Sequence, residues 1–185
     1  MYKMDDTEAS LIIDDFTKET TIQLTKVAGD SYKLFVDTFE LDDRDRFIGD
    51  LKNLGLQFAF QNDKFYLRLK GLISNNDIIH FLFEDDTVIE KTINNKPSLL
   101  RSEYAETVEL NIPEMKVFAT TFLKKWKLTK YGLNTFVIGG FIDNPYFKQY
   151  TNKIDGQYLL LATARQLIKQ VIFHLPKPEL RNIIE

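Results

Sequence analysis

Histidine is the side chain best suited to moving protons near neutral pH, and this 185-residue chain has two, His80 and His174. His80 lies in the apolar run Ile78 to Phe83 and shares a strand face with Ile78 and Leu82. That placement predicts a hydrogen-bonded histidine in or beside the core. His174 falls near the end of a helical pattern, where a cationic ring stabilises the carbonyl end. No H-E-x-x-H pair suggests zinc. The lack of cysteine excludes disulfides, thiolate metal ligands and cysteine nucleophiles together, and fits a reducing compartment.

Phosphate chemistry has no better footing. Neither G-x-x-x-x-G-K-[ST] nor G-x-G-x-x-G occurs, and G-x-S-x-G is missing too. Gly139-Gly140 sits inside a strand pattern rather than before a helix, which suggests a bulge or a close approach by other backbone. In Asp42-Asp43-Arg44-Asp45, a calcium loop begun at Asp43 would need an oxygen ligand at its fifth position, where Phe47 stands, and Gly49 falls a residue late. A solvated acidic loop is the expectation there. Glu84, Asp85 and Asp86 form a hairpin tip whose carboxylates belong in water. The sequence therefore assigns no catalytic, metal-binding or cofactor-binding residue, calls for no cofactor, and leans against an enzyme.

Charge offers more. Residues 1–110 carry 13 Lys and Arg against 22 Asp and Glu, whereas residues 111–185 carry 11 against 5. An acidic and a basic part can attract each other within one fold, or present a bipolar surface to a charged partner. Lys116, Lys124, Lys125, Lys127 and Lys130 accompany Phe118, Phe122 and Trp126, as in helices that touch membranes or nucleic acid. The same aromatics are what such a helix needs to dock on its own sheet. A net charge of -3 argues against nucleic acid. The candidate partner-binding residues are Asp42, Asp43, Asp45, Lys124, Lys125 and Lys127.

The elements that must position these groups follow from periodicity. From Leu56 to Leu69 apolar and polar residues alternate around Asn62-Asp63. A two-residue turn there pairs Gln61 with Lys64, Phe60 with Phe65, Phe58 with Leu67 and Leu56 with Leu69. The ribbon is expected to continue through a turn at Ser74-Asn75-Asn76-Asp77 into Ile78 to Phe83. Another turn at Glu84 to Thr87 leads into Val88 to Ile93. A turn centred on Asp85-Asp86 would leave Phe81 opposite Glu90, so a bulge or longer loop is equally compatible. Shorter strands are expected at Leu11 to Ile13, Thr20 to Ala28, Tyr32 to Phe39, Glu106 to Ile112 and Asn134 to Ile142, with residues 1–10 frayed.

Two helices complete the plan. Met115, Phe118, Ala119, Phe122, Leu123 and Trp126 recur every three or four residues, predicting a helix over about 113–128 with Pro113 in its first turn. A second, over about 156–174, is capped by Asp155 and stopped by Pro176 and Pro178. The expected fold is α+β, a single domain over residues 1–185. A mostly antiparallel curved sheet of about 7 to 9 strands carries the long C-terminal helix packed on it.

With no apolar stretch suited to a signal peptide or a membrane span, the sequence reads as a cytoplasmic protein. The function expected is a non-catalytic protein-binding module, accessory or inhibitor-like, whose partner is another protein and for which a homo-oligomer is compatible. The alternative is a carrier or enzyme using an apolar cavity between the curved sheet and the C-terminal helix.

Overall fold

The computed structural model describes residues 7–13, 15–16, 18, 20–26, 54–70, 73–94, 106–133, 136–140, 153–175 and 177–184. The described strands are β1 (Thr7–Ile13), β2 (Thr20–Lys26), β3 (Gly55–Gln61), β4 (Lys64–Lys70), β5 (Ile78–Phe83), β6 (Val88–Thr92), β7 (Glu106–Leu110), β8 (Leu123–Thr129) and β9 (Phe136–Gly139). The helices are α1 (Ile112–Thr120), α2 (Lys153–His174) and α3 (Pro178–Ile184). All described strand pairs are antiparallel, so the class is α+β. They form two sheets rather than the single sheet expected, in the orders β1-β2-β3-β4-β7 and β6-β5-β8-β9. The strand expected at Tyr32 to Phe39 and the acidic segment with Asp42, Asp43 and Asp45 lie outside the described residues.

The β3–β4 hairpin has the register that the alternation dictates, from Gln61 opposite Lys64 to Leu56 opposite Leu69. Asn62 and Asp63 both adopt positive φ, 50° and 61°, the backbone that lets a two-residue turn match the twist of its strands. At the next turn the expected ribbon ends, because β4 pairs with β7 instead of β5. The cause lies in Ser74 to Asp77. The Asp77 carboxylate accepts from the Ser74 N–H, and the backbones of Asn76 and Asp77 bond with Ile93. Those bonds commit β5 to the second sheet.

The connection between β5 and β6 is the longer of the two alternatives. Phe83 C=O accepts from Asp86 N–H, Phe83 N–H donates to Thr87 C=O, and Asp86 takes φ 65°. This shifts the register so that Phe81 faces Ile89 and His80 faces Glu90. Phe81 is thereby spared a carboxylate as neighbour.

The helix expected over 113–128 needs correction. It begins as read, with Pro113 in the first turn, and Asn111 and Glu114 close a reciprocal capping box. It ends at Thr120, and residues 123–129, with Lys124, Lys125 and Lys127, form strand β8. Opposite β5, Phe83 pairs with Leu123 and Leu82 with Lys125, leaving Lys124 as the extra residue of a bulge. The bulge puts Leu123 and Trp126, three apart, on one face. That spacing of three imitates helical periodicity.

A smaller correction applies at the amino-terminal end, where residues expected to fray are paired from Thr7 opposite Lys26. Likewise α2 starts at Lys153, so Asp155 lies inside its first turn rather than at the cap. Beyond Pro176, Pro178 opens α3, a helix additional to the two expected.

The core joins both described sheets and the three described helices. At its centre the Phe118 ring of α1 meets Phe58 of β3 and Phe81 and Phe83 of β5 edge-on, at centroid distances of 5.3, 5.4 and 5.0 Å. Edge-to-face contact is the favoured geometry for such rings. Helix α2 contacts β2 and β3 of one sheet, β8 of the other, and both other helices. It buries Leu160, Leu161, Ala164, Leu167, Ile168 and Val171, the face that its spacing dictates.

Candidate functional site

The second sheet has one face in the core and one turned away from it. Ile79, Phe81 and Phe83 of β5, Ile89 of β6, and Trp126 and Leu128 of β8 are buried. Alternation then sends their neighbours to the outer face. Directly paired residues share a face, so three rows cross it. One runs Val88, Leu82, Lys125; the next Glu90, His80, Lys127, Ile138; the third Thr92, Ile78, Thr129, Phe136.

This face mixes two kinds of side chain. Lys125 and Lys127 are exposed on β8, while Ile78 and Leu82 are half-buried on β5 and Phe136 and Ile138 on β9. Val88 on β6 is 56% exposed. Lys127 Nζ lies 4.5 Å from the Phe136 ring centroid, a cation–π distance. Lys124, half-buried at the bulge, has its Nζ 3.9 Å from Asp86 Oδ1 at the neighbouring turn. Of the three lysines named from sequence, two stand together on the outer face and one is drawn to the hairpin tip.

Gly139 shows why β9 can lie so close to β8. A Cβ there would sit 2.1 Å from Trp126 Cζ2, so only glycine lets the strand pass over the indole. At Gly139 the close neighbour is therefore a side chain rather than the other backbone expected; backbone comes close at Gly140, where a Cβ would sit 2.9 Å from Lys124 O. Trp126, 2% exposed, belongs to the core.

His80 is hydrogen-bonded, on the outer face. Its Nε2 lies 2.8 Å from Glu90 Oε2, and its Nδ1 is buried without a hydrogen-bond partner. One ring nitrogen is thus hydrogen-bonded to a carboxylate and the other is buried. Among the described residues no group of His, Asp and Glu is arranged to hold a metal ion, and no helix is long and apolar enough to cross a membrane. This face sets two ammonium groups among apolar side chains.

A second cluster went unmarked in the sequence. Asp77, 1% exposed, accepts from Ser74 N–H at 2.8 Å, Tyr131 N–H at 2.9 Å and the ammonium of Lys130, which also donates to Ser74 Oγ. Glu106 at the start of β7 is buried as well. Desolvation, and then the Asp77 carboxylate, holds its carboxyl above the usual glutamate range. Nothing in a turn sequence such as Ser-Asn-Asn-Asp announces a partner lysine more than fifty residues away. Glu114 ties α1 to β6 through Lys91 Nζ, at 2.6 Å.

Comparison with protein-family models, with curated protein sequences and with solved structures finds no match.

Proposed function

We propose that this protein is a non-catalytic protein-binding module, accessory or inhibitor-like, and that the outer face of the β6-β5-β8-β9 sheet meets an acidic surface of its partner. The observation that carries this reading is the row structure of that face. A sheet face given over to water is normally polar, yet here Val88, Leu82, Ile78, Phe136 and Ile138 flank the exposed Lys125 and Lys127. Apolar area supplies affinity, and the two ammonium groups select carboxylates and speed encounter. In these rows Lys125 and Lys127 outnumber the one carboxylate, Glu90, which hydrogen-bonds His80.

The other reading, an apolar-ligand carrier or enzyme, needs room between sheet and C-terminal helix. Leu160, Ala164, Leu167 and Ile168 of α2 fill that position, each 2% exposed or less, and Phe118 fills the space between the sheets. Such packing favours the binding module.

The test is affinity capture from cell extract with the wild-type chain and the Lys125→Glu, Lys127→Glu variant, at low and high salt. Both changes lie on an exposed strand face, so the fold is retained. The reading expects one or a few acidic proteins held at low salt by the wild type and reduced about tenfold or more on the variant. The same proteins on both chains, or none on either, would overturn it.

A further inference from the structure

We infer that the partner of this outer face is a second copy of the chain, docked face to face about a two-fold axis that runs along β5. The inference rests on the reading of the face as a protein-binding surface and names what it binds. What carries it is the way charge divides across the sheet. The lysines stand on β8, with Lys125 and Lys127 exposed and Lys124 half-buried. The carboxylates stand on the other side of β5, at Glu90 of β6 and at Glu84, Asp85 and Asp86 of the turn that leads into it, and all four are exposed. Between them β5 presents Ile78, His80 and Leu82, each half-buried.

Two copies of one sheet face can meet about a two-fold axis lying in the interface, directed either across the strands or along them. An axis across the strands sets Glu90 against Glu90 and Lys127 against Lys127, and like charges oppose that arrangement. An axis along β5 exchanges β6 with β8 and keeps every residue in its row. Glu90 and Lys127 flank His80 in one row, so Glu90 of each copy then faces Lys127 of the other. The acidic turn lies just beyond the row of Val88, Leu82 and Lys125, and the same rotation brings it beside Lys125 of the second copy. Such reciprocity is what a closed two-fold interface requires.

The remaining side chains suit the same arrangement. Glu90 accepts a second ammonium without giving up His80, because that bond uses Oε2 and a carboxylate accepts at both oxygens. Ile78 and Leu82 meet their counterparts near the axis, and Val88 lies against the methylene stem of Lys125. Strands about 4.8 Å apart, rising about 3.4 Å per residue, make this 4-stranded face roughly 15 Å on a side. An interface of that size falls at the low end for specific complexes, so the dimer is weak, with a dissociation constant on the order of 100 μM.

Sedimentation equilibrium of the wild-type chain, at concentrations from about 10 to about 500 μM so as to bracket that constant, is the test. A monomer–dimer equilibrium is expected, weakened by salt. Glu90→Lys and Lys127→Glu should each loosen the dimer about tenfold or more, and the two changes combined should regain most of the loss, because the charges again face their opposites. Misfolding of a single variant does not mimic that recovery. Three results would overturn the inference: a wild type that stays monomeric, a dimer indifferent to both single changes, or a combined variant no tighter than either one. A monomeric wild type that still holds an acidic protein through Lys125 and Lys127 in the capture experiment rejects the second copy as partner and leaves the binding face standing.

Discussion

Phe118 links the two sheets through three aromatic contacts, and its removal is the most informative single change in the core. Phe118→Ala is expected to cost about 3–5 kcal/mol in urea-unfolding experiments, the range for a buried aromatic truncated to alanine. A cost below about 1 kcal/mol would mean that the ring does not hold the sheets together. Gly139→Ala tests the β8–β9 contact separately and should cost about 1–3 kcal/mol, because its Cβ must displace the Trp126 ring. Glu106 gives a pH dependence. Its carboxyl keeps its proton to higher pH in the folded state than in the unfolded chain, so unfolding is favoured as the pH rises through that window. The stability of the wild type relative to Glu106→Gln should therefore fall from the ordinary glutamate pKa upward, and the difference should be flat at lower pH. At this scale the sequence was legible wherever a side chain's fate depended on its strand neighbours, as for Phe58, Phe60 and Leu67. It was silent on Asp77, whose partners come from a distant turn.

Elements were legible in proportion to how local their causes are. The β3–β4 hairpin follows from two turn residues and an alternation, and its register is the one observed. Helix α2 follows from a long apolar stripe ended by proline. Strand β8 was hidden because a bulge at Lys124 spaces Leu123 and Trp126 as a helix would, and because lysines suit an exposed strand face as well as a helix end. Asn111 was the overlooked signal at the other end, an N-cap with glutamate three residues on. Asn111→Ala is expected to lower stability by about 1 kcal/mol, measured by urea unfolding. No change would mean that tertiary packing alone holds the first turn of α1.

On the scale of the molecule, composition and periodicity were enough for the α+β class and the antiparallel strands. They could not show that the strands divide between two sheets, since that depends on Asp77 holding β5 away from β4. The division leaves the second sheet with an outer face of its own, on which Lys125 and Lys127 stand among apolar neighbours. The candidate surface was therefore half legible: the lysines were named from their charge, and their setting on a sheet face was not. Site-specific photocrosslinking in cells decides whether the outer face of the second sheet meets a partner, with the reactive residue placed at Lys127, at His80 and, as a control, at the exposed Lys169 of α2. Positions 127 and 80 are expected to join the chain to the same acidic protein while position 169 does not. Crosslinks from position 169 alone, or none from the sheet face, would contradict it.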